Sequence, residues 1–219
     1  MKERVEPKVA RMVADPNSHI NFMKMEVPFY PQKWDLPQWQ KLGFESFEDA
    51  QYWEKSSCGI LCLKMAIDGF LLAQAKPLSP SIAEYIKKGI EIGAYKDSVG
   101  WSHDGLVRLA KEFGFSAVNR EGASAAELRE SLQQNSLSIL SIKWGFEERR
   151  SLKEKILFWK KFGGHLALAV GFEDEGKKLK GFYVHHTSRR PEYNWQYRFL
   201  PLQKFERGFT GRCIMIKPS

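Results

Sequence analysis

The stretch EKSSCGILCLKMAIDGF, residues 54 to 70, decides how this 219-residue chain is read. At Cys58 a polar segment gives way to an amphipathic one. Ile60, Leu61, Leu63, Ile67, Phe70 and Leu71 recur near helical spacing, which predicts a buried helix from Cys58 to about Gln74. Its first turn holds Cys58 and Gly59. A thiol reacts as thiolate, and the unpaired N–H groups and dipole of a helix N-terminus stabilise that anion. Gly59, lacking a side chain, would leave the backbone uncovered, so that a carbonyl could approach the Cys58 amide as an oxyanion donor. The competing reading is a plain core cysteine, since cysteine is among the most buried residue types.

Upstream, residues 1–26 have the basic start of a signal peptide without the apolar run and cleavage site that should follow, and read as an irregular arm. Residues 27–219 read as a single domain. MEVPFY suggests a short strand entering a loop in which Pro28, Pro31 and Pro37 forbid regular helix. Ser46 with Asp49 caps a short helix, FEDAQYWEK. Three more helix starts follow: Ser79 with Pro80, Ser102 before HDGLVRLAKEF, and Ser124 with Glu127. Beyond Asn135 the pattern turns to apolar and β-branched runs, LSILSIKW, HLALAVGFE, GFYVHHT, WQYRFL and RCIMIK, which predict strands. DEGKKLKG marks a hairpin between the second and third. Helices first and strands afterwards is an α+β order, a helical N-terminal half packed on an antiparallel sheet from the C-terminal half.

Composition narrows the classes. Hydrophobic residues make up 43% and charged residues 27%, as in ordinary globular proteins, and no window offers the run of about 18 apolar residues that a membrane span needs. Three cysteines do not make a disulfide framework, which points to a reducing, cytoplasmic setting. The net charge of +8 gathers in clusters at Arg149, Arg150, Lys153 and Lys155, at Lys177, Lys178 and Lys180, and at Arg189 and Arg190. No recognition motif accompanies them, so nucleic acid is disfavoured as a partner. Cys62 lies four residues after Cys58, but tetrahedral zinc needs further ligands at recognisable spacing. Neither a metal nor a cofactor is expected, Cys62 and Cys213 read as core, and no pattern specifies an oligomeric state.

A cysteine nucleophile needs a base. His165 heads a predicted strand just after Gly163 and Gly164, and such partners meet in space rather than in sequence. The blocks SSCGILCLKMAIDGF, GGHLALAVGFEDEG and GFYVHHTS resemble the cysteine, histidine and aspartate or asparagine blocks of the C39-like cysteine peptidases, papain-fold relatives of bacteriocin leader peptidases. The resemblance spans about two thirds of the chain. It implies a papain-like fold, a peptide or protein substrate, Cys58 as nucleophile and His165 as base. By alignment His186 stands where the family has Asp or Asn, and Thr187 replaces a proline. A neutral imidazole can orient His165 but stabilises imidazolium less than a carboxylate does. His185 points to the opposite face of the strand and is the fallback. The family's oxyanion glutamine, six residues before the cysteine, falls on Tyr52, and Gln51 one step earlier is the candidate. His103 lies in a stretch resembling the family's GW.H.GL. Trp34, Trp39, Trp53 and Trp101 read as groove lining or as core packing. A thiol hydrolase cleaving a peptide or amide bond is the leading expectation. An acyl-transfer enzyme shares its first step, and the alternatives are a weakened peptide-binding domain or a basic scaffold.

Overall fold

The apolar run after Ser57 forms the buried helix that its spacing predicts. The computed structural model describes residues 11–14, 20–97, 99–143, 146 and 165–219, with backbone alone for 11–14 and 20–24. Helix α1 (Phe47–Glu54) is followed, across an 89° bend, by α2 (Cys58–Ala73), in which every residue from Gly59 to Phe70 is buried. Three polar starts act as caps: Ser46 accepts from the Asp49 N–H, and Ser102 and Ser124 accept from the N–H groups of Gly105 and Glu127 at the heads of α4 (His103–Glu112) and α5 (Ala125–Gln133). Each satisfies one orphan donor of a first turn. Helix α3 (Ile82–Glu91) starts two residues later than expected. Its cap is Ser81 in a reciprocal box with Glu84, because Ser79 is engaged by Asp68, Lys64 and Tyr85.

Two strands precede the helices, β1 (Arg11–Ala14) and β2 (Ile20–Lys24), and a small ribbon, β3 (Tyr95–Lys96) with β4 (Gly100–Trp101), lies between α3 and α4. The larger strands are β5 (Phe115–Arg120), β6 (Leu137–Ile142), β7 (His165–Glu175), β8 (Lys178–His186), β9 (Trp195–Pro201) and β10 (Phe209–Pro218). All but the small ribbon join one antiparallel sheet, in which β7 is flanked by β8 and β9 on one side and by β6 and β2 on the other. From β6 the sheet continues through β10 to the edge strand β5. The expected hairpin is present, with Glu175 opposite Lys178 and Gly176 at φ +61° supplying the turn. Helix α2 lies over β7, β6 and β10. Its Leu61, Leu63, Met65 and Ile67 join Leu140, Leu168 and Ile214 in the core.

The structure differs from the sequence reading in four places. Residues 11–14 and 20–24, expected within an irregular arm, form a hairpin whose second strand pairs with residues 171–175 of β7. The strand expected at MEVPFY is absent; only the Met25 N–H, bonded to Val170 O, extends the ladder past Lys24. FSAVNR, with its interrupted alternation, is β5, and a short helix α6 (Leu202–Gly208) follows Pro201. The basic cluster at 149–155 and the pair Gly163 and Gly164 lie outside the described residues. No single helix among the described residues is long and apolar enough to cross a membrane.

One buried charge pair anchors α2 from within. Lys64 Nζ donates to Asp68 Oδ2 at 2.9 Å, to Ser79 Oγ at 3.0 Å and to the Ser79 and Pro80 carbonyls. Asp68 also accepts from the Tyr30 hydroxyl and the Ser79 N–H at 2.7 Å. The network ties the N-terminal loop and the start of α3 to the core helix, and every charge in it is hydrogen-bonded. Lys64→Met should therefore cost about 3–5 kcal/mol in urea unfolding, because the Asp68 carboxylate stays buried without its cation. Lys64→Met with Asp68→Leu should recover part of that loss, and a single variant within about 0.5 kcal/mol of wild type would rule out this anchoring role.

Candidate active site

Close packing at Gly59 places the first turn of α2. A Cβ built there would lie 3.1 Å from Trp101 Cβ and 3.2 Å from Leu106 and Leu166 side-chain carbons. Gly59 therefore lets the helix approach β4, α4 and β7, a packing role that the sequence reading did not give it. The approach brings the Cys58 sulfur to the start of β7. There the His165 imidazole and the backbone N–H groups of Leu166 and Gly59 are the groups that favour its thiolate. Burial pushes the Cys58 thiol up, but the His165 charge and hydrogen bond, with the two backbone donors, outweigh it and hold the thiol below its ordinary range. Cys62, one turn deeper, is pushed well up by burial and by the Cys58 charge, and remains an inert core thiol.

Strand register explains the histidines. Ala167 pairs with His186 across β7 and β8, so His165, two residues earlier on the same face, is the diagonal neighbour of His186. Their ring centroids are 4.8 Å apart, edge to face. His185 points the other way and packs against Phe29 at 5.4 Å and Tyr197 at 4.4 Å. The structure thus brings Cys58, His165 and His186 together and leaves His185 out.

His186 does not hold His165 by the hydrogen bond expected of the third position. Its Nδ1 donates to Tyr193 O at 2.7 Å, and Trp195 lies against its ring. Burial, then the neighbouring His165 charge, push its pKa down to about 3 against the pull of the Tyr193 carbonyl. The acceptor on His165 is instead the Thr187 main-chain carbonyl, 2.5 Å from Nε2. A carbonyl only accepts, so Nε2 carries a proton, and Nδ1 is the ring nitrogen left to face the thiol. A backbone oxygen has no residue signature, and for that reason the sequence reading passed over it.

Gln51 is exposed on α1 and does not line the cleft beside Cys58. A different glutamine, likewise outside the cleft lining, is buried in the Pro-rich loop before α1. Gln32, 3% exposed, donates its Nε2 to Glu54 O at 2.9 Å, and its N–H reaches Asn194 Oδ1. Its signal was weak, one amide in a Pro-rich loop 26 residues before Cys58.

A cleft of about 370 Å³ opens at Cys58 and is lined further by Trp101, His103, Asp104, Asn119, Leu166 and Arg212. Trp101 Nε1 donates to Ser56 O at 2.8 Å. Asn119 Nδ2 donates to Asp104, so Asn119 Oδ1 accepts from His103 Nδ1 at 3.2 Å. Burial holds His103 below its ordinary pKa, so it is a neutral wall of the cleft near pH 7. Of the other tryptophans, Trp34 packs on Phe44, and Trp53 joins Tyr52, Tyr95 and Trp101 in an aromatic cluster beside the cleft. Cys213 is buried in β10. A larger groove between β5 and α5 has neither cysteine nor histidine among its lining residues.

No protein-family model matches the chain, and no curated protein matches it in sequence. Solved structures do match. A C39-like peptidase from Bacillus anthracis is 16% identical, with 89% of this chain and 96% of that one covered at a TM-score of 0.53. A double-glycine-motif protease from an AMS/PCAT transporter, solved with its leader peptide, is 17% identical over 90% of this chain and 94% of that one at 0.44. The peptidase domain of Streptococcus ComA is 16% identical over 75% and 93% at 0.47. The α+β fold is that of the C39-like peptidase domains, as the expected papain-like architecture requires.

The low His186 pKa has a consequence for stability. The folded value of about 3 lies below the ordinary 6.5, so the unfolded chain takes up the proton first. The neutral form's full contribution is present above about pH 6.5 and is lost as pH falls toward 3, by up to about 1.4 kcal/mol per unit. The stability gap between wild type and His186→Phe should therefore narrow between pH 6 and 4 in urea titrations. A gap constant over that range would show that the imidazole is not held neutral.

Proposed function

We propose that the chain is a cysteine peptidase-like thiol hydrolase in which Cys58 attacks an amide carbonyl and His165 is its base. One arrangement carries this reading: a thiol on the first turn of a buried helix, open to a cleft and set beside the imidazole that heads β7, which favours its thiolate. The likeness to a C39-like peptidase structure supports the fold on which that chemistry runs.

The thiol proton passes to His165 Nδ1, and the sulfur attacks the carbonyl carbon of a peptide or protein substrate in the cleft. Negative charge then develops on the carbonyl oxygen, which the Cys58 N–H at the head of α2 stabilises. We assign the side-chain donor to Gln32 rather than to Gln51, since Gln32 is the buried amide and keeps a second Nε2 hydrogen beyond its bond to Glu54 O. Collapse breaks the C–N bond as His165 Nδ1–H protonates the leaving amine, and an acyl-thioester remains on Cys58. Water, giving its proton to His165, then releases the acid and restores the thiol. An amine entering in place of water would make the same residues an acyl transferase. His186 is a neutral wall behind the base, closing it from solvent.

A second reading is a domain that binds peptide without cutting it, favoured by the want of a carboxylate at the third position. Alkylation kinetics separate the two. Iodoacetamide should label Cys58 with a pH midpoint below the ordinary thiol value of about 8.5, with Cys58→Ala as the blank. In His165→Ala the midpoint should rise, because burial is then opposed by the Leu166 and Gly59 N–H groups alone. An ordinary midpoint unchanged by His165→Ala would favour the binding domain.

A further inference from the structure

The proposed base needs an acceptor to hold its tautomer, and the loop leaving β8 supplies one. His165 Nε2 donates to the Thr187 carbonyl. The next residue, Ser188, is gripped from both sides by one side chain: its N–H donates to Asn194 Oδ1 at 2.8 Å, and its carbonyl accepts from Asn194 Nδ2 at 2.8 Å. This two-point contact fixes the peptide that begins at the Thr187 carbonyl carbon. The same Asn194 Oδ1 also accepts from the Gln32 N–H at 3.3 Å, which couples the clamp to the buried amide loop. Thr187 and Ser188 are both buried, so water does not compete for the carbonyl.

We propose that the Thr187 main-chain carbonyl is the orienting acceptor of His165 and that Asn194 is the positioning residue that aims it. The inference rests on the thiol-hydrolase reading and deepens it by naming what replaces the missing carboxylate. The arrangement has a definite chemistry. A carbonyl dipole selects the Nε2–H tautomer, leaves the Nδ1 lone pair for the thiol, and stabilises the imidazolium through a partial charge rather than a full one. His186 does not take this part, since the His165 Nε2–H is already given to the Thr187 carbonyl. Asn194 acts through Ser188 and touches neither the thiol nor a substrate in the cleft.

Among the described residues, few charged or titratable groups face Cys58 and His165. They are Cys62 from α2, His186 from β8, and His103, Asp104 and Arg212 across the cleft. Asn194→Ala changes none of their charges. It should raise the pH midpoint of Cys58 alkylation by about one unit, so that labelling at pH 6 slows about tenfold. A merely structural role would lower the melting temperature and leave the midpoint where it is. A midpoint within about 0.2 units of wild type would overturn the positioning role.

A second measurement does not depend on that variant folding. In Cys58→Ala protein at pH 8, the long-range 1H–15N spectrum of the imidazoles should show His165 as the Nε2–H tautomer, its signal identified by loss in Cys58→Ala with His165→Gln. An Nδ1–H tautomer would overturn the orienting role of the carbonyl. The two failures are distinguishable. If His165→Ala leaves wild-type alkylation unchanged, the hydrolase reading fails; if it abolishes the low midpoint while Asn194→Ala does not, only this inference fails.

Discussion

The candidate site depends on the close approach of α2 to the sheet at Gly59. A helix packs no nearer than its side chains allow, and a Cβ at this position would press on Trp101, Leu106 and Leu166 at once. With hydrogen there, the first turn of α2 sits against β7, and Cys58 reaches an imidazole and a backbone N–H that belong to one strand. The buried face from Gly59 to Phe70 holds that contact in place, because a shift along the helix would unpack the core. Reactive geometry here is a by-product of core packing, with Cys58 at the partly open end that leads into the buried run from Gly59 to Phe70.

A carbonyl in place of a carboxylate changes the electrostatics in a specific way. A buried carboxylate would stabilise the imidazolium with a full charge but would need hydrogen bonds of its own to offset its desolvation. Thr187 O needs no such offset, and the neighbouring position is filled by His186, which stays neutral near pH 7. Among the described residues, the pair Cys58 and His165 therefore has little net charge behind the ring. Charge separation between thiol and imidazole is then supported chiefly by the two backbone N–H groups at the sulfur and one carbonyl at Nε2. Dipoles fixed by strand and helix ends do not reorganise as the proton moves.

What could be read from the sequence was local or carried by residue type. The caps at Ser46, Ser102 and Ser124 were legible because a hydroxyl and an N–H three residues on make the contact by themselves. Ser79 misled for a tertiary reason: Lys64, Asp68 and Tyr85 had already engaged it, and Ser81 took the cap. FSAVNR shows only partial burial alternation and gave no strand signal, yet pairing with β10 makes it one. At the site, Cys58, His165 and His186 could be named because their side chains carry the chemistry. Thr187 could not, since its contribution is an oxygen every residue owns. Gln32 and Gln51 differ by burial alone, and burial is settled by the bend between α1 and α2 and the loop packed behind it.

The charged groups of α2 are kept apart from its reactive end. Lys64 is six residues and Asp68 ten residues beyond Cys58, so about 9 and 15 Å along the axis. Alone, the Lys64 ammonium would favour a thiolate at the head of the helix whether or not an imidazole were present. Paired with Asp68 and wrapped by Ser79 and Pro80 carbonyls, it presents little net charge in that direction. The thiolate then depends on His165, and through it on the loop that carries Thr187. Stability and reactivity thus draw on different parts of one helix: the ion pair fixes its middle, and the packing at Gly59 aims its first turn.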